Sequence, residues 1–175
     1  MEELYLELND NEWPLEYINH DRNIVRAIVF DKEMNFYFVR VNRDDDFGKG
    51  TFIETSGGGV EYNENLDEAI KRELSEELGV KVKILNKIGI VSDYYNLIHR
   101  HNINHYFLCK IEEFGNPHMT DDEINKFHLK MLVLSYEEAL KEYERCKTNK
   151  LGRILYNREY PVLKKAKEIL NENKY

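Results

Sequence analysis

The chain has 175 residues, of which 42% are hydrophobic and 33% charged, and its formal net charge is −8. This composition is typical of a soluble globular protein and excludes a disordered chain. The negative charge argues against a nucleic-acid polymer as partner, because binding a phosphate backbone requires clustered Lys and Arg.

Short runs rich in β-branched and aromatic residues predict six strands. In chain order they occupy residues 24–31, 36–41, 51–55, 81–92, 103–111 and 130–135, with a hairpin loop at 31–35. Periodic apolar residues predict helices at 65–78, 136–146 and 157–172, the last with Pro161 near its first turn. This mixed order predicts an α/β or α+β fold in which helices cover a sheet.

No repeat or flexible linker divides the chain, so we expect a single domain over residues 1–175. Residues 1–22 are open to three interpretations: an extra strand pair, a dimer arm or a loose tail. They lack the apolar stretch of a signal peptide, and no apolar run in the chain is long enough to span a bilayer. Cys109 and Cys146 have no C-x-x-C spacing, which is typical of unpaired thiols in a reducing compartment. We therefore expect a cytoplasmic protein with no membrane contact.

The segment from Ser56 to Val80 predicts a glycine-rich loop followed by a helix. Asn65 and Glu68 have the spacing of a capping box, and Gly79 is a natural left-handed residue at the helix end. The glycines at 57–59 permit close backbone approaches. They could form a plain hairpin, or offer a carbonyl to a metal and amides to a phosphate.

The helix breaks its own apolar pattern. Leu66 and Ile70 begin a stripe whose next positions are Glu73 and Glu77, with Glu76 beside them. A solvated acidic face is one interpretation, but such a face would not lie on the apolar stripe. Carboxylates crowded and partly withdrawn from water need a cation, and Mg²⁺ prefers carboxylate oxygens. The stripe therefore indicates a metal site.

The segment resembles the Nudix box, G-x5-E-x7-R-E-U-x-E-E-x-G-U, in which U is a bulky aliphatic residue. Every specified position is filled, by Gly58, Glu64, Arg72, Glu73, Leu74, Glu76, Glu77, Gly79 and Val80. One departure is Ser56, which stands where many members have proline.

The resemblance implies an α/β/α sandwich with a mixed sheet between helices. It also implies Mg²⁺- or Mn²⁺-dependent hydrolysis of a nucleoside diphosphate linked to another moiety. A nucleoside triphosphate or dinucleoside polyphosphate is the favoured substrate, and the protein is expected to be a monomer or homodimer. The alternatives are a non-catalytic nucleotide-binding or regulatory module and an isomerase of a diphosphate-bearing small molecule.

The resemblance also implies metal ligands. By position, Glu76 and Glu77 resemble the main ligands, Glu73 resembles a ligand or the base that activates water, and the Gly57 carbonyl is a further candidate. An acidic ligand from outside the box is common in the family, and Glu123 matches the usual placement best. The other candidates there are Glu112, Glu113, Asp121 and Asp122.

The remaining implied roles concern catalysis and substrate binding. Arg72 would orient the acids, Glu64 would assist, and Gly58 and Gly59 would bind a phosphate. Tyr94 and Tyr95 lie roughly where several dinucleoside polyphosphate hydrolases of the family have a base-stacking tyrosine, although strand packing explains them equally well.

The segment HRHNINH places His99, His101 and His105 at alternate or nearby strand positions. A zinc site would need a partner motif that this region lacks. We expect surface or substrate-facing histidines without a metal.

Overall fold

The computed structural model describes residues 2–173 and 175, which form eight strands, four α-helices and a short 3₁₀ helix at Asn96–Ile98. The strands are β1 (Leu4–Leu8), β2 (His20–Phe30), β3 (Phe36–Asp45), β4 (Gly48–Glu54), β5 (Ser56–Gly59), β6 (Val80–Tyr95), β7 (Arg100–Phe114) and β8 (Lys130–Leu134). The helices are α1 (Leu66–Leu78), α2 (Asp121–Asn125), α3 (Tyr136–Cys146) and α4 (Lys150–Asn173). Met1 and Lys174, which the predicted domain includes, lie outside the described residues.

The described strands form one mixed sheet in the order β1-β6-β7-β2-β3-β4, with β5 paired to β2 and β8 paired to β3. The β1/β6 and β2/β7 pairs are parallel and the others antiparallel. Helix α1 packs on one face, and α3 and α4 pack on the other. The predicted mixed sheet between helices is confirmed, and burial of both faces explains continuous apolar runs such as residues 27–30.

Leu74 lies in the core beneath α1 and is fully buried. Replacing it with alanine leaves a cavity, so we expect Leu74→Ala to lower the free energy of unfolding by about 2–5 kcal/mol. Urea denaturation measures this, with Leu15→Ala as the control because Leu15 is 63% exposed. Equal unfolding midpoints for the two variants would contradict the burial of Leu74.

The N-terminal residues form one strand rather than a strand pair. Strand β1 pairs in parallel with β6, and the segment after it is held by Asp10, whose carboxylate accepts N–H bonds from Glu12, Trp13 and Asn96. The Trp13 ring packs edge-on against Phe47, at 5.3 Å between centroids. The loose-tail interpretation is therefore wrong for the described residues.

Helix α4 begins at Lys150 rather than at residue 157, so Pro161 lies inside the helix and not in its first turn. Proline cannot donate the helical N–H bond, which costs about 3 kcal/mol in a helix interior. Burial on both sides of it, by Leu151, Leu155 and Val162 among others, offsets this cost. None of the helices formed by the described residues has the length and apolar character that crossing a membrane requires.

The glycine-rich segment forms strand β5 rather than a loop. It pairs antiparallel with β2, from Gly59 opposite Ile24 to Ser56 opposite Ala27. Glycine has low strand propensity, so only the tertiary pairing produces this strand.

Candidate active site

Helix α1 has the termini that the sequence predicts. The Asn65 side chain accepts the Glu68 N–H at 2.9 Å, and the Glu68 carboxylate accepts the Asn65 N–H at 3.1 Å, which confirms the capping box. Gly79 is left-handed, with φ of 65°. The caps fix the two ends of the helix, and packing of Ile70, Leu74 and Leu78 on the sheet places Glu73 and Glu77 on the buried side, at 7% and 5% exposure.

Glu77 lies against the start of β5. Its Oε2 atom accepts hydrogen bonds from the Ser56 hydroxyl and, at 3.0 Å, from the Gly57 N–H. Burial raises the pKa of Glu77 to about 8; the two hydrogen bonds act against the rise, and the charges of Glu73 and Glu123 add to it. Among residues 2–173 and 175, no cationic side chain forms a salt bridge with Glu77 that would compensate its lost hydration.

Arg72 joins the acids of the box into one network. Its Nε and Nη2 atoms donate to both oxygens of Glu64 at 2.7 and 2.9 Å, and Nη1 donates to Glu73 at 2.7 Å and to Glu76 at 3.3 Å. Nη2 also donates to the Gly59 carbonyl at 3.0 Å. Arg72 therefore fixes Glu73 in place and ties α1 to β5.

The Glu73 carboxylate lies directly over Gly58. A β-carbon on Gly58 would come within 2.5 Å of Glu73 Oε1, so only glycine leaves room for this acid. Burial raises the pKa of Glu73; Arg72 acts to lower it, and Glu76 and Glu123 act to raise it. The preceding Gly57 has φ of 154°, and a β-carbon there would overlap the Val25 carbonyl.

Glu123 is the acid from outside the box that lies in the same cleft as Glu77 and Gly57. It belongs to helix α2, in which Thr120 and Glu123 form the N-terminal capping box. The other four acids considered there are exposed, and Glu113 pairs with Lys81 at 2.9 Å. Glu76 is half-exposed, and its carboxylate accepts from the same Arg72 Nη1 atom as Glu73.

A cleft extends from these acids across the sheet. Its narrow end, about 250 Å³, contains Glu77, Glu123 and residues 57–59. Its wide end, about 420 Å³, contains Phe47, Tyr95 and Asn102. The two ends share Arg22, Ile24, Arg26, Arg43, Glu54 and Phe127. A larger cavity of about 530 Å³ lies on the outer side of α1 and contains none of the box acids.

The two tyrosines point in different directions because consecutive strand residues alternate between faces. Tyr95 lines the wide end of the cleft and packs against Phe47, at 5.8 Å between centroids. Tyr94 lies on the other face and stacks on His101 at 4.4 Å. Only Tyr95 is positioned to contact a ligand in the cleft.

The three histidines have partners of other kinds. The His99 ring stacks on Tyr17, His101 bonds Asp21 at 2.8 Å, and His105 bonds the Asn23 side chain at 3.1 Å. The absence of a metal from this segment stays a prediction.

Sequence reasoning missed a buried charge network under β5. Glu159 of α4 is fully buried and accepts bonds from the Thr55 N–H at 2.9 Å, the Thr55 hydroxyl and the Tyr143 hydroxyl. Its neighbour Arg158, also fully buried, bonds Asp93 and Tyr95. Both charges lie on the apolar stripe of α4, the same anomaly that identified Glu73 and Glu77 in α1.

The NUDIX domain model matches residues 20–151, which is well over half of the chain. The chain belongs to the Nudix family. Solved Nudix structures share its fold. A Nudix hydrolase from Nitrosomonas europaea superposes with a TM-score of 0.58 at 16% identity, covering 71% of this chain and 79% of its own. A MutT protein from Methanosarcina mazei Go1 gives 0.54 at 21% identity, covering 73% and 85%.

The match to the E. coli ORF135 protein covers 86% of this chain and 91% of that protein, with a TM-score of 0.59 at 21% identity. No curated protein matches the sequence. As a Nudix family member, the protein is a Nudix-type hydrolase, and Nudix hydrolases generally use divalent metal cations.

The acids of this Nudix site fit such a cation. Among residues 2–173 and 175, no three His, Cys, Asp or Glu side chains already surround one point as a closed metal cage would. Mg²⁺ seldom uses such a cage, because it keeps several waters and binds one or two carboxylates together with substrate phosphates. Glu73, Glu77 and Glu123 supply carboxylates that repel one another, which a divalent cation would relieve.

The raised pKa of Glu77 predicts a pH-dependent stability of the metal-free protein. The folded state holds a proton on Glu77 up to about pH 8, whereas the unfolded state releases it near its ordinary value of 4.5. The contribution of Glu77 to stability is therefore complete below about pH 4.5 and is lost as the pH rises through about 8. We expect this decline in EDTA, measured by denaturant titration, and a flatter curve for Glu77→Gln. Parallel curves for the two proteins would contradict the shift.

Proposed function

We propose that the protein is a Mg²⁺- or Mn²⁺-dependent pyrophosphohydrolase that cleaves a nucleoside diphosphate linked to another moiety. A nucleoside triphosphate or a dinucleoside polyphosphate is the favoured substrate. The observation that supports this most is that a single cleft has a different set of side chains at each end. The buried Glu77 and the half-buried Glu123 lie at the narrow end, Phe47, Tyr95 and Arg100 lie at the wide end, and three arginines line both.

The acids would hold the metal. Glu73 and Glu77, with Glu123 from α2, supply the carboxylates nearest the cleft, and Glu76 and the Gly57 carbonyl are further candidate ligands. A bound divalent cation would screen phosphate charge, lower the pKa of water and stabilise the leaving oxygen.

The other residues of the box would position and bind. Arg72 holds the Glu73 carboxylate at 2.7 Å, and Glu64 fixes Arg72 through two bonds, so that Glu73 can take a proton from water. Gly58 and Gly59 leave backbone accessible to a phosphate. Tyr95 has a better position than Tyr94 for contact with a base.

A panel of substrates in Mg²⁺ and in Mn²⁺ tests the proposal. Nucleoside triphosphates, nucleotide sugars, ADP-ribose and dinucleoside polyphosphates are incubated with the protein, and phosphate-containing products are separated by anion-exchange chromatography. We expect turnover of at least one nucleotide with either metal and none in EDTA. Absence of product from every compound would favour a non-catalytic nucleotide-binding module with the same fold.

A cytoplasmic location is supported by the thiols of Cys109 and Cys146, which are both buried and free in the described structure. Monomer or homodimer stays a prediction. Size-exclusion chromatography with light scattering distinguishes the two.

A further inference from the structure

The cleft contains arginines in two different electrostatic states. Arg26 is compensated by Glu54 at 3.4 Å and by Glu159 at 3.7 Å. Arg43 is compensated by Asp45 at 2.8 Å. These two arginines therefore have their counter-charges within the protein.

Arg22 and Arg100 form no such ion pair within the described residues. Neither forms a salt bridge with an Asp or Glu of residues 2–173 and 175, although the chain has 33 acidic residues against 25 basic ones. Arg100 Nε is moreover buried, without a hydrogen-bond partner in the described part of the chain. Two adjacent arginines without an ion pair, in a strongly acidic protein, indicate a binding site for an anion.

The two arginines lie side by side. Arg22 of β2 is paired in register with Asn102 of β7, and Arg100 is paired with His20, so the two arginines lie two positions apart on one face of adjacent strands. Partial desolvation in the cleft lowers the pKa of Arg22, the positive charges of Arg100 and Arg26 lower it further, and the negative charge of Glu73 acts in the opposite direction.

Their surroundings locate the anion along the cleft. The Arg22 guanidinium lies over Gly59, 2.6 Å from where a β-carbon would stand, and so reaches the narrow end. Arg100 lines only the wide end, where the buried Asn102 also has an Oδ1 atom without a partner among residues 2–173 and 175. The pair therefore lies beyond the acids, on the path from them to Tyr95.

We propose that Arg22 and Arg100 bind a phosphate of the substrate other than the two joined by the bond that is cleaved. This rests on the proposed function, in which the acids at the narrow end would hold the metal that binds the cleaved diphosphate. Two guanidinium groups match the oxygens of a phosphate and would be relieved of their mutual repulsion by it. The substrate is then a nucleotide with three or more linked phosphates, rather than a sugar- or ribose-linked diphosphate.

Binding of inorganic tripolyphosphate in EDTA tests the site without turnover. Isothermal titration calorimetry is performed on the wild type, Arg22→Gln, Arg100→Gln and the control Arg40→Gln, which removes an exposed arginine of β3 outside the cleft. We expect each cleft variant to bind about 10-fold or more weakly, because it loses charged hydrogen bonds, and the control to match the wild type. The same affinity in all four proteins, or no binding by the wild type, would overturn the proposal. Thermal melts establish that each variant is folded.

Turnover separates this proposal from the hydrolase itself. We expect Arg100→Gln to lower kcat/KM for a nucleoside triphosphate by about 10-fold or more, and for a nucleotide sugar by less than about 2-fold. Equal losses on both substrates would overturn the proposal that Arg22 and Arg100 bind a further phosphate, but would not contradict the proposed hydrolase activity. If no substrate is hydrolysed, yet the arginine variants bind tripolyphosphate more weakly than the wild type, the proposed hydrolase activity is wrong and the anion-binding site is supported.

Discussion

Glu77→Gln is expected to lower the rate of hydrolysis by about 10²–10⁴-fold while the protein stays folded. Glutamine keeps the shape of the side chain and can still accept the bonds from Ser56 and Gly57, but it removes the charge that a metal needs. Because burial already raises the pKa of Glu77 to about 8, removing its charge is expected to increase the stability of the metal-free folded state at alkaline pH. Rates in saturating Mg²⁺, measured beside thermal melts in EDTA, check both parts.

The control is Glu112→Gln. Glu112 was also a candidate ligand from the sequence, but it is exposed and lies outside the cleft. We expect its rate to change little and its stability to change by less than about 0.5 kcal/mol. A fully active Glu77→Gln protein would contradict the interpretation that α1 contributes to a metal site.

Glu159→Ala is expected to have the largest effect on stability. It removes one of the two carboxylates that Arg158 and Arg26 share, the other being Glu54, and removing one partner of a buried ion pair costs about 3–5 kcal/mol. Burial acts to raise the pKa of Glu159, but Arg158, Arg26 and the bonds from Thr55 and Tyr143 outweigh it and lower that pKa. Urea denaturation at pH 7 measures the loss.

Glu168→Ala on the same helix is the matched control, since the Glu168 side chain is 61% exposed and pairs with Lys165 at the surface. We expect it to change stability by less than about 0.5 kcal/mol. Glu159→Gln should lose less stability than the alanine variant, because its amide oxygen can still accept the Thr55 N–H bond. Equal stability of Glu159→Ala and Glu168→Ala would show that the buried network does not contribute to folding.

Local rules were sufficient for α1. Capping residues and a period of 3.6 specify where the helix begins, ends and faces, so Glu73 and Glu77 could be placed on the buried side from spacing alone. The α/β/α layering likewise follows from the order of apolar strands and amphipathic helices.

Other features depend on contacts between distant segments, which spacing cannot reveal. Strand β5 exists because β2 pairs with it, and its glycines have no local preference for extended structure. Arg22 and Arg100 become neighbours only when β2 and β7 align in parallel. The start of α4 was missed because Pro161 resembles an N-terminal signal, whereas burial of residues around it keeps the helix continuous.

The most direct test of the metal-dependent hydrolase is the position of Mn²⁺ in a crystal grown with a non-hydrolysable nucleoside triphosphate. The analogue is included because phosphate oxygens complete the metal shell. We expect an anomalous peak at the narrow end of the cleft, in contact with Glu77 and with Glu73 or Glu123. A peak at His99, His101 or His105 instead, or an analogue bound in the cleft with no metal at these glutamates, would contradict it.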